Sequence, residues 1–251
     1  VAGLMEGDGS HRDAEGNLRD RMGLEDLFGI TVTEPTRGPV KNTYVALNGS
    51  HPINLGFEGA RRIIGGTRLI GIEAKDGTEA PFLYVPDFPD LPMEEVYPRE
   101  EPRGAAVAAR QTEAGGRTVY IPWNVGEIFG EVLAGDHQRL IENAVRWALG
   151  ADPGLVVTGK SVLDLAVREG EGETLVLMHN LTNPMMMKGP IRETYPVGSH
   201  TLSVTVPAGK STARGRLLVS EQVVPVTIES DRATVLVPEI ELLEAVHLIW
   251  D

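Results

Sequence analysis

The chain contains no cysteine. That absence removes disulfides, thiolate metal sites and any cysteine nucleophile, and it fits a reducing compartment. Aromatic residues are scarce at 5%, so aliphatic side chains must supply most of the hydrophobic stabilisation. No apolar run approaches the ~20 residues that a membrane span needs. No positively charged leader precedes an apolar segment, so the expectation is no membrane, with the cytoplasm favoured. Basic residues are also in deficit: 23 Lys and Arg stand against 36 Asp and Glu, a net charge of −13. Such a surface repels phosphate backbones and no basic stripe interrupts it, which argues against a nucleic-acid partner. The G-x-S-x-G elbow, the P-loop, H-E-x-x-H and G-x-G-x-x-G are all missing. His11, His51, His137, His179, His200 and His247 are dispersed, and none pairs at helical metal-ligand spacing. Neither a metal nor a cofactor is expected.

What is present reads as an ordinary globular composition, 41% hydrophobic and 24% charged over 251 residues, enough for one or two domains. Glycine (29) and proline (17) favour many turns and short strands. The chain opens on Val1-Ala2-Gly3, which reads as the end of a buried strand, so the first domain is expected to lack its opening elements. A helix is expected over Asp20–Phe28, with Met22, Leu24, Leu27 and Phe28 inward and Gly29 as a left-handed terminator. Strand-length apolar segments follow at Tyr44–Leu47, Thr67–Ile72, Phe82–Val85, Ala105–Ala109 and Thr118–Ile121. The clearest helix spans Asp136–Leu149, capped by Asp136 and ended by Gly150. Asp152-Pro153-Gly154 then punctuates the chain. Beyond it, strand-like runs recur at Ser161–Val167, Thr174–His179, His200–Val206, Arg216–Val219, Val223–Ile228, Thr234–Val237 and Ala245–Trp250, with no helical stretch between them. The reading is α/β over residues 1–151 and an all-β antiparallel sandwich over 155–251.

Five features are candidates for chemistry or contact. Glycoside hydrolysis uses an acid and a nucleophile or base about 5–10 Å apart, and Glu94-Glu95, followed by Tyr97 and Arg99, is the most suggestive acidic cluster. Neighbours on an extended chain point oppositely, so these two cannot serve as such a pair with each other; either could touch a substrate or pair with Arg99. Trp123 stands where a strand meets a helical region, the usual ligand crevice of an open α/β sheet; it would stack on a sugar or serve as a buried anchor. Asn183, Met185, Met186, Met187, Lys188 and Arg192 belong to a loop whose three methionines lie between two prolines. That loop either folds back on its own sandwich or presses on a neighbouring domain or subunit. Glu6–Glu15 gathers oxygen ligands, but out of the register of a calcium loop. Asn48-Gly49-Ser50 and Asn180-Leu181-Thr182 match glycosylation acceptors.

Taken in order, GNLRDRMGLEDLFG (Gly16 to Gly29), RRIIGG (Arg61 to Gly66), PMEEVYPR (Pro92 to Arg99), IPWNVGEIF, DHQRLIENAVRWALG and NLTNPMMMKGPIRE resemble the tail of bacterial glycoside-hydrolase-like proteins with a beta-galactosidase trimerisation domain. The resemblance covers nearly the whole chain. It implies a (β/α)8 barrel ahead of this region as partner, then a truncated flavodoxin/amidotransferase-like α/β domain, then a small β domain. It further implies a homo-oligomer, and a carbohydrate substrate cleaved by carboxylates that belong to the barrel, so that this chain holds no catalytic residue. Without cysteine there is no thiolate to attack a glutamine amide. The expected role is assembly and support of a hydrolase active site, with a loop lent to it. The alternatives are a carbohydrate-binding module working through Trp123 or Tyr97, and a self-sufficient glycosidase using Glu94 or Glu95.

Overall fold

The computed structural model describes residues 1–4, 10–17, 19, 21–89, 91–92, 94–151, 153–182 and 193–251. The chain forms two compact units, Val1–Asp152 and Pro153–Asp251. It is mostly β, with 13% helix, and the pairings between named strands are antiparallel. Among the described residues no helix is long and apolar enough to cross a membrane.

A five-stranded sheet organises the first unit, in the order β3 (Arg62–Ile64), β2 (Tyr44–Leu47), β5 (Thr78–Val85), β6 (Arg103–Gln111), β7 (Arg117–Tyr120). In β6 the run Ala105–Ala109 is buried throughout, the mark of a strand covered on both faces. Val107, Ala106 and Ala109 join Phe82, Val119, Leu140 and Ala144 in one core. Ala105 and Ala108 join Met22, Phe28, Ile30, Ile70, Ile72 and Tyr120 in another. The first core is closed by α3 (Gly135–Leu149) and a 3-10 turn at Pro52–Asn54; α2 (Val125–Val132) precedes α3. The second core is closed by α1 (Glu25–Phe28) and a ribbon of β1 (Ile30–Arg37) paired with β4 (Leu69–Ala74). At the free edge of β7, Ala2 pairs in parallel with Tyr120.

Several sequence expectations change here. The α/β reading of residues 1–151 meets an antiparallel sheet with few helices. The reason is local: β6 and β7 are joined by the tight turn Thr112–Gly116, closed by the Thr112 amide on the Gly116 carbonyl at 2.7 Å, and a parallel neighbour would need a crossover of a dozen or more residues. The first helix shrinks to Glu25–Phe28, and Leu27 lies 48% exposed instead of inward. Gly29 does terminate it, at φ 64°. Asp136 falls in the first turn of α3 and Ala134 takes the cap position, with no side-chain hydrogen bond.

The second unit is two antiparallel sheets around one apolar core. One has the order β13 (Gln222–Val224), β12 (Ala213–Leu217), β16 (Leu243–Trp250), β10 (Glu173–Asn180), β9 (Leu163–Gly170); the other runs β14 (Thr227–Glu229), β15 (Arg232–Val237), β11 (His200–Thr205), β8 (Leu155–Thr158). Along β10 the buried residues alternate, Thr174, Val176, Met178 and Asn180, the period of a half-buried strand. The single strand expected over Val223–Ile228 is two, because Pro225 cannot donate to a ladder, and its halves join different sheets. Asn180 is 6% exposed, and its Nδ2 donates to the carbonyls of Tyr195 and Glu241, each at 2.8 Å; that nitrogen is engaged in the fold, which opposes its use as a glycan acceptor.

Glu244 is 2% exposed, a buried carboxylate that needs compensation. Its Oε1 accepts the amides of Val219 (2.9 Å) and Ala245 (2.8 Å), and Oε2 accepts that of Ser220 (3.1 Å). It thereby ties the turn after β12 to β16. Glu244→Ala strands these donors and is expected to lower the stability of the unit by roughly 2–4 kcal/mol, with Glu244→Gln losing less. Urea denaturation followed by tryptophan fluorescence measures both; equal stability of wild type and Glu244→Ala would contradict the assignment.

Candidate functional site

The expected contact residues are not gathered in one place. Glu94 and Glu95 are exposed on a turn closed by the Glu95 amide on the Pro92 carbonyl at 2.8 Å. Tyr97 is 54% exposed, with the Arg99 guanidinium 5.3 Å from its ring centre. Arg99 donates to the backbone carbonyl of Glu95, at 3.4 Å, and not to its carboxylate. Trp123 is 3% exposed, its indole N–H donating to the Ala106 carbonyl at 3.0 Å and its ring edge-on to His137. Asn183, Met185, Met186, Met187, Lys188 and Arg192 lie outside the described residues.

The most structured polar site lies elsewhere in the first unit, in a cleft of about 440 Å³ between the β1–β4 ribbon and the five-stranded sheet. Its wall holds a closed triad that sequence reading missed. Arg37, on β1, donates through Nη1 to Asp87 Oδ1 at 2.8 Å and through Nη2 to the Tyr84 hydroxyl at 2.8 Å. Tyr84 donates to Asp87 Oδ1 at 2.6 Å and accepts the Asp87 amide at 3.0 Å. Burial, then the bond to Asp87, pushes the Tyr84 phenol up to about 12, so it remains a donor. Burial pushes Asp87 upward, but the bonds from Tyr84 and Arg37 outweigh it and hold the carboxyl below its ordinary range. Glu34, Glu73, Glu100 and Arg103 also face the cleft, with Trp123 and Pro122 in its lining; Glu94, Glu95, Tyr97 and Arg99 do not reach it. The only sequence signal for the triad was Tyr84 and Asp87 three residues apart at a strand end; Arg37 arrives from 47 residues away.

The segment behind the cleft is fixed by Asn124. Its Oδ1 accepts the amides of Thr67 and Arg68, each at 3.0 Å, while Nδ2 donates to Thr67 Oγ1 and Glu127 Oε2. The Arg68 guanidinium meets the same Glu127 oxygen at 2.6 Å. This knot joins the start of β4 to the start of α2.

In the second unit, Ser161 Oγ stands 2.6 Å from Nε2 of His200, which is 1% exposed. A nucleophile–base pair has an orienting acid behind the imidazole. Among the described residues His200 Nδ1 is buried with no hydrogen-bond partner, so that arrangement is incomplete and the pair is structural. Burial holds the imidazole below its ordinary pKa. A second cavity, of about 600 Å³, is lined by residues including Thr174, Lys210 and Trp250.

Solved structures share this fold. An alpha-L-fucosidase, isoenzyme 2 from Paenibacillus thiaminolyticus, superposes with a TM-score of 0.66 at 18% identity, over 92% of this chain and 34% of its own. A GH42 beta-galactosidase from G. stearothermophilus gives 0.52 at 14%, over 95% of this chain and 26% of its own. A beta-galactosidase from Bacillus circulans sp. alkalophilus gives 0.50 at 14%, over 90% and 25%. The chain therefore spans a quarter to a third of the length of these glycoside hydrolases, and at such identities the likeness is one of fold. No protein-family model matches the chain, and no curated protein matches it.

Two outcomes follow from the titrations. Asp87 is depressed in the folded state, so its contribution is present above the ordinary carboxylate pKa and is lost as pH falls through the folded value. Asp87→Asn is thus expected to be less stable than wild type at neutral pH and to converge with it in acid, in denaturation series run at both. His200 is also depressed, so its contribution is complete above its unfolded pKa and shrinks as pH falls below it. Stability of the second unit is expected to fall less steeply below about pH 6.5 in His200→Gln, by up to ~1.4 kcal/mol per pH unit, the linkage of one proton. Parallel wild-type and variant slopes would remove His200 from the account.

Proposed function

We propose that the chain is a non-catalytic assembly and support region of a multidomain glycoside hydrolase, whose first unit is of the amidotransferase-like trimerisation type. In this reading it fixes the geometry of a catalytic barrel elsewhere in the polypeptide, promotes homo-oligomerisation and lends a loop toward a carbohydrate site. The observation that carries it is the superposition: more than nine-tenths of this chain follows the fold of a glycoside hydrolase, yet only 34% of that enzyme is matched. The acids support it. Glycoside cleavage needs one carboxyl held protonated opposite a second, whereas Glu94 and Glu95 are exposed on a turn and Asp87 is held ionised by Tyr84 and Arg37.

The reading makes three measurements informative. The isolated chain is expected to leave aryl glycosides intact; hydrolysis abolished by Glu94→Gln or Glu95→Gln would replace this reading with that of a self-sufficient enzyme. Sedimentation velocity over a concentration series should show self-association, and a monomer at every concentration would end the assembly role. In the longer polypeptide, changing Met185, Met186 and Met187 to serine is expected to reduce assembly or turnover, and no change in either removes the loop from the proposal.

A further inference from the structure

We propose that the cleft between the β1–β4 ribbon and the five-stranded sheet is a binding site for a neutral saccharide of one or two rings, recognised through Arg37 and Glu34 over an apolar floor. At about 440 Å³ it falls within the size range of small-molecule pockets, with a lining that is slightly more polar than apolar. Val45, Ile70, Ile72 and Pro122 supply apolar wall here.

The polar groups are held in place before any ligand arrives. Arg37 is locked by Asp87 and Tyr84, and Tyr84 is saturated, giving its proton to Asp87 and accepting from Arg37 and the Asp87 amide. One member is left over. Among the described residues Arg37 Nε is buried without a hydrogen-bond partner, and the nearest Glu34 carboxylate oxygen is 3.7 Å away, beyond bonding distance. A buried donor in this state costs free energy until an acceptor reaches it. The Glu34 side chain that covers it is 62% exposed, so rotation about its own bonds opens Nε to the cleft at little cost.

These groups select the ligand. A hydroxyl accepts from Arg37 Nε and donates to the Glu34 carboxylate, fulfilling both sides. An ammonium has no acceptor to offer Nε. An anion meets four carboxylates, Glu34, Glu73, Asp87 and Glu100, against the guanidiniums of Arg37 and Arg103, two of those acids being already paired with them. A neutral polyol is what remains, and a sugar ring adds an apolar face for the floor. Tyr97 does not reach this site and Trp123 enters only its lining, and the site does not depend on the assembly role: sedimentation tests that role and leaves this one untouched.

The test is a titration of the nitrogen-15-labelled chain with glucose, galactose, maltose and lactose into the tens of millimolar, with glucuronate and glucosamine as charged controls. Saturable amide shifts are expected on β1, on β4 and around Tyr84–Asp87, with both charged sugars weaker than their neutral counterpart. Thr33→Trp, an exposed position on the cleft wall, should block the mouth and abolish the shifts. Glu34→Gln should weaken binding roughly tenfold, as for one lost charge-assisted hydrogen bond. Absence of saturable shifts, shifts confined to the other unit, shifts that persist in both variants, or tighter binding of a charged sugar would each overturn the proposal.

Discussion

The first unit is built on one constraint: the strand β6 carries five successive buried residues, Ala105 to Ala109, and must be covered on both faces. Alternate side chains point to opposite faces, so Val107 and Ala109 demand one layer and Ala108 demands another. The 15-residue α3 answers on the first face through Leu140 and Ala144. Among the described residues no long helix answers on the second. There the cover is the β1–β4 ribbon, with Met22 and Phe28 beside it, and a ribbon is narrower than the sheet beneath it. The cleft is the consequence, opening beside Ala105 and Ala106 where the ribbon leaves the sheet. Alanine is the enabling residue: larger side chains on β6 would fill the space that the ribbon leaves.

Charge is managed by different means in the two units. Net charge of −13 makes an uncompensated buried carboxylate especially costly. In the second unit Glu244 is answered by three backbone amides, dipoles that add no countercharge and do not depend on flexible side chains. In the first unit Asp87 is answered by a guanidinium and a phenol. That solution leaves more than is consumed, because arginine brings five donors and Asp87 and Tyr84 engage only Nη1 and Nη2. A spare directional donor at the wall of an opening distinguishes this cluster from Glu244, whose bonds close on themselves. The same contrast separates it from Ser161–His200, where the unpartnered Nδ1 is sealed in the interior.

Much of this architecture is legible in the sequence, and the illegible parts share a cause. Tyr44–Leu47 is read to the residue, as are the ends of α3 and α1 at Gly150 and Gly29, because hydrophobic period and the left-handed glycine are local signals. The ribbon strand β1 is not read: Pro35 and a mostly exposed pattern hide it, and its pairing with β4 is broken by register shifts. The strand β8 is missed because its four residues are only half buried or exposed. Val223–Ile228 reads as one strand until Pro225 is given its full weight. The triad fails for the same reason as β1, since Arg37 cannot be placed beside Tyr84 until the ribbon exists. Glu94 and Glu95 drew notice by adjacency, which in a turn brings no partner with it.

The remaining tension is apolar surface. In α2 only Val125 is buried, while Ile128 and Phe129 are half-buried and Val132 is 56% exposed; in the second unit Val223 of β13 is 84% exposed at a sheet edge. Isolated apolar residues on a surface need no explanation, but a helix with one buried side chain gains little from the core it stands beside. Its position is held instead by polar bonds at its first turn, where Asn124 and Glu127 bind Thr67 and Arg68. A helix pinned at one end, with Val132 exposed and Ile128 and Phe129 half-buried, is costly in a free-standing domain and economical in one that packs against something else. In the proposed support role, self-association or a catalytic barrel would supply such a neighbour.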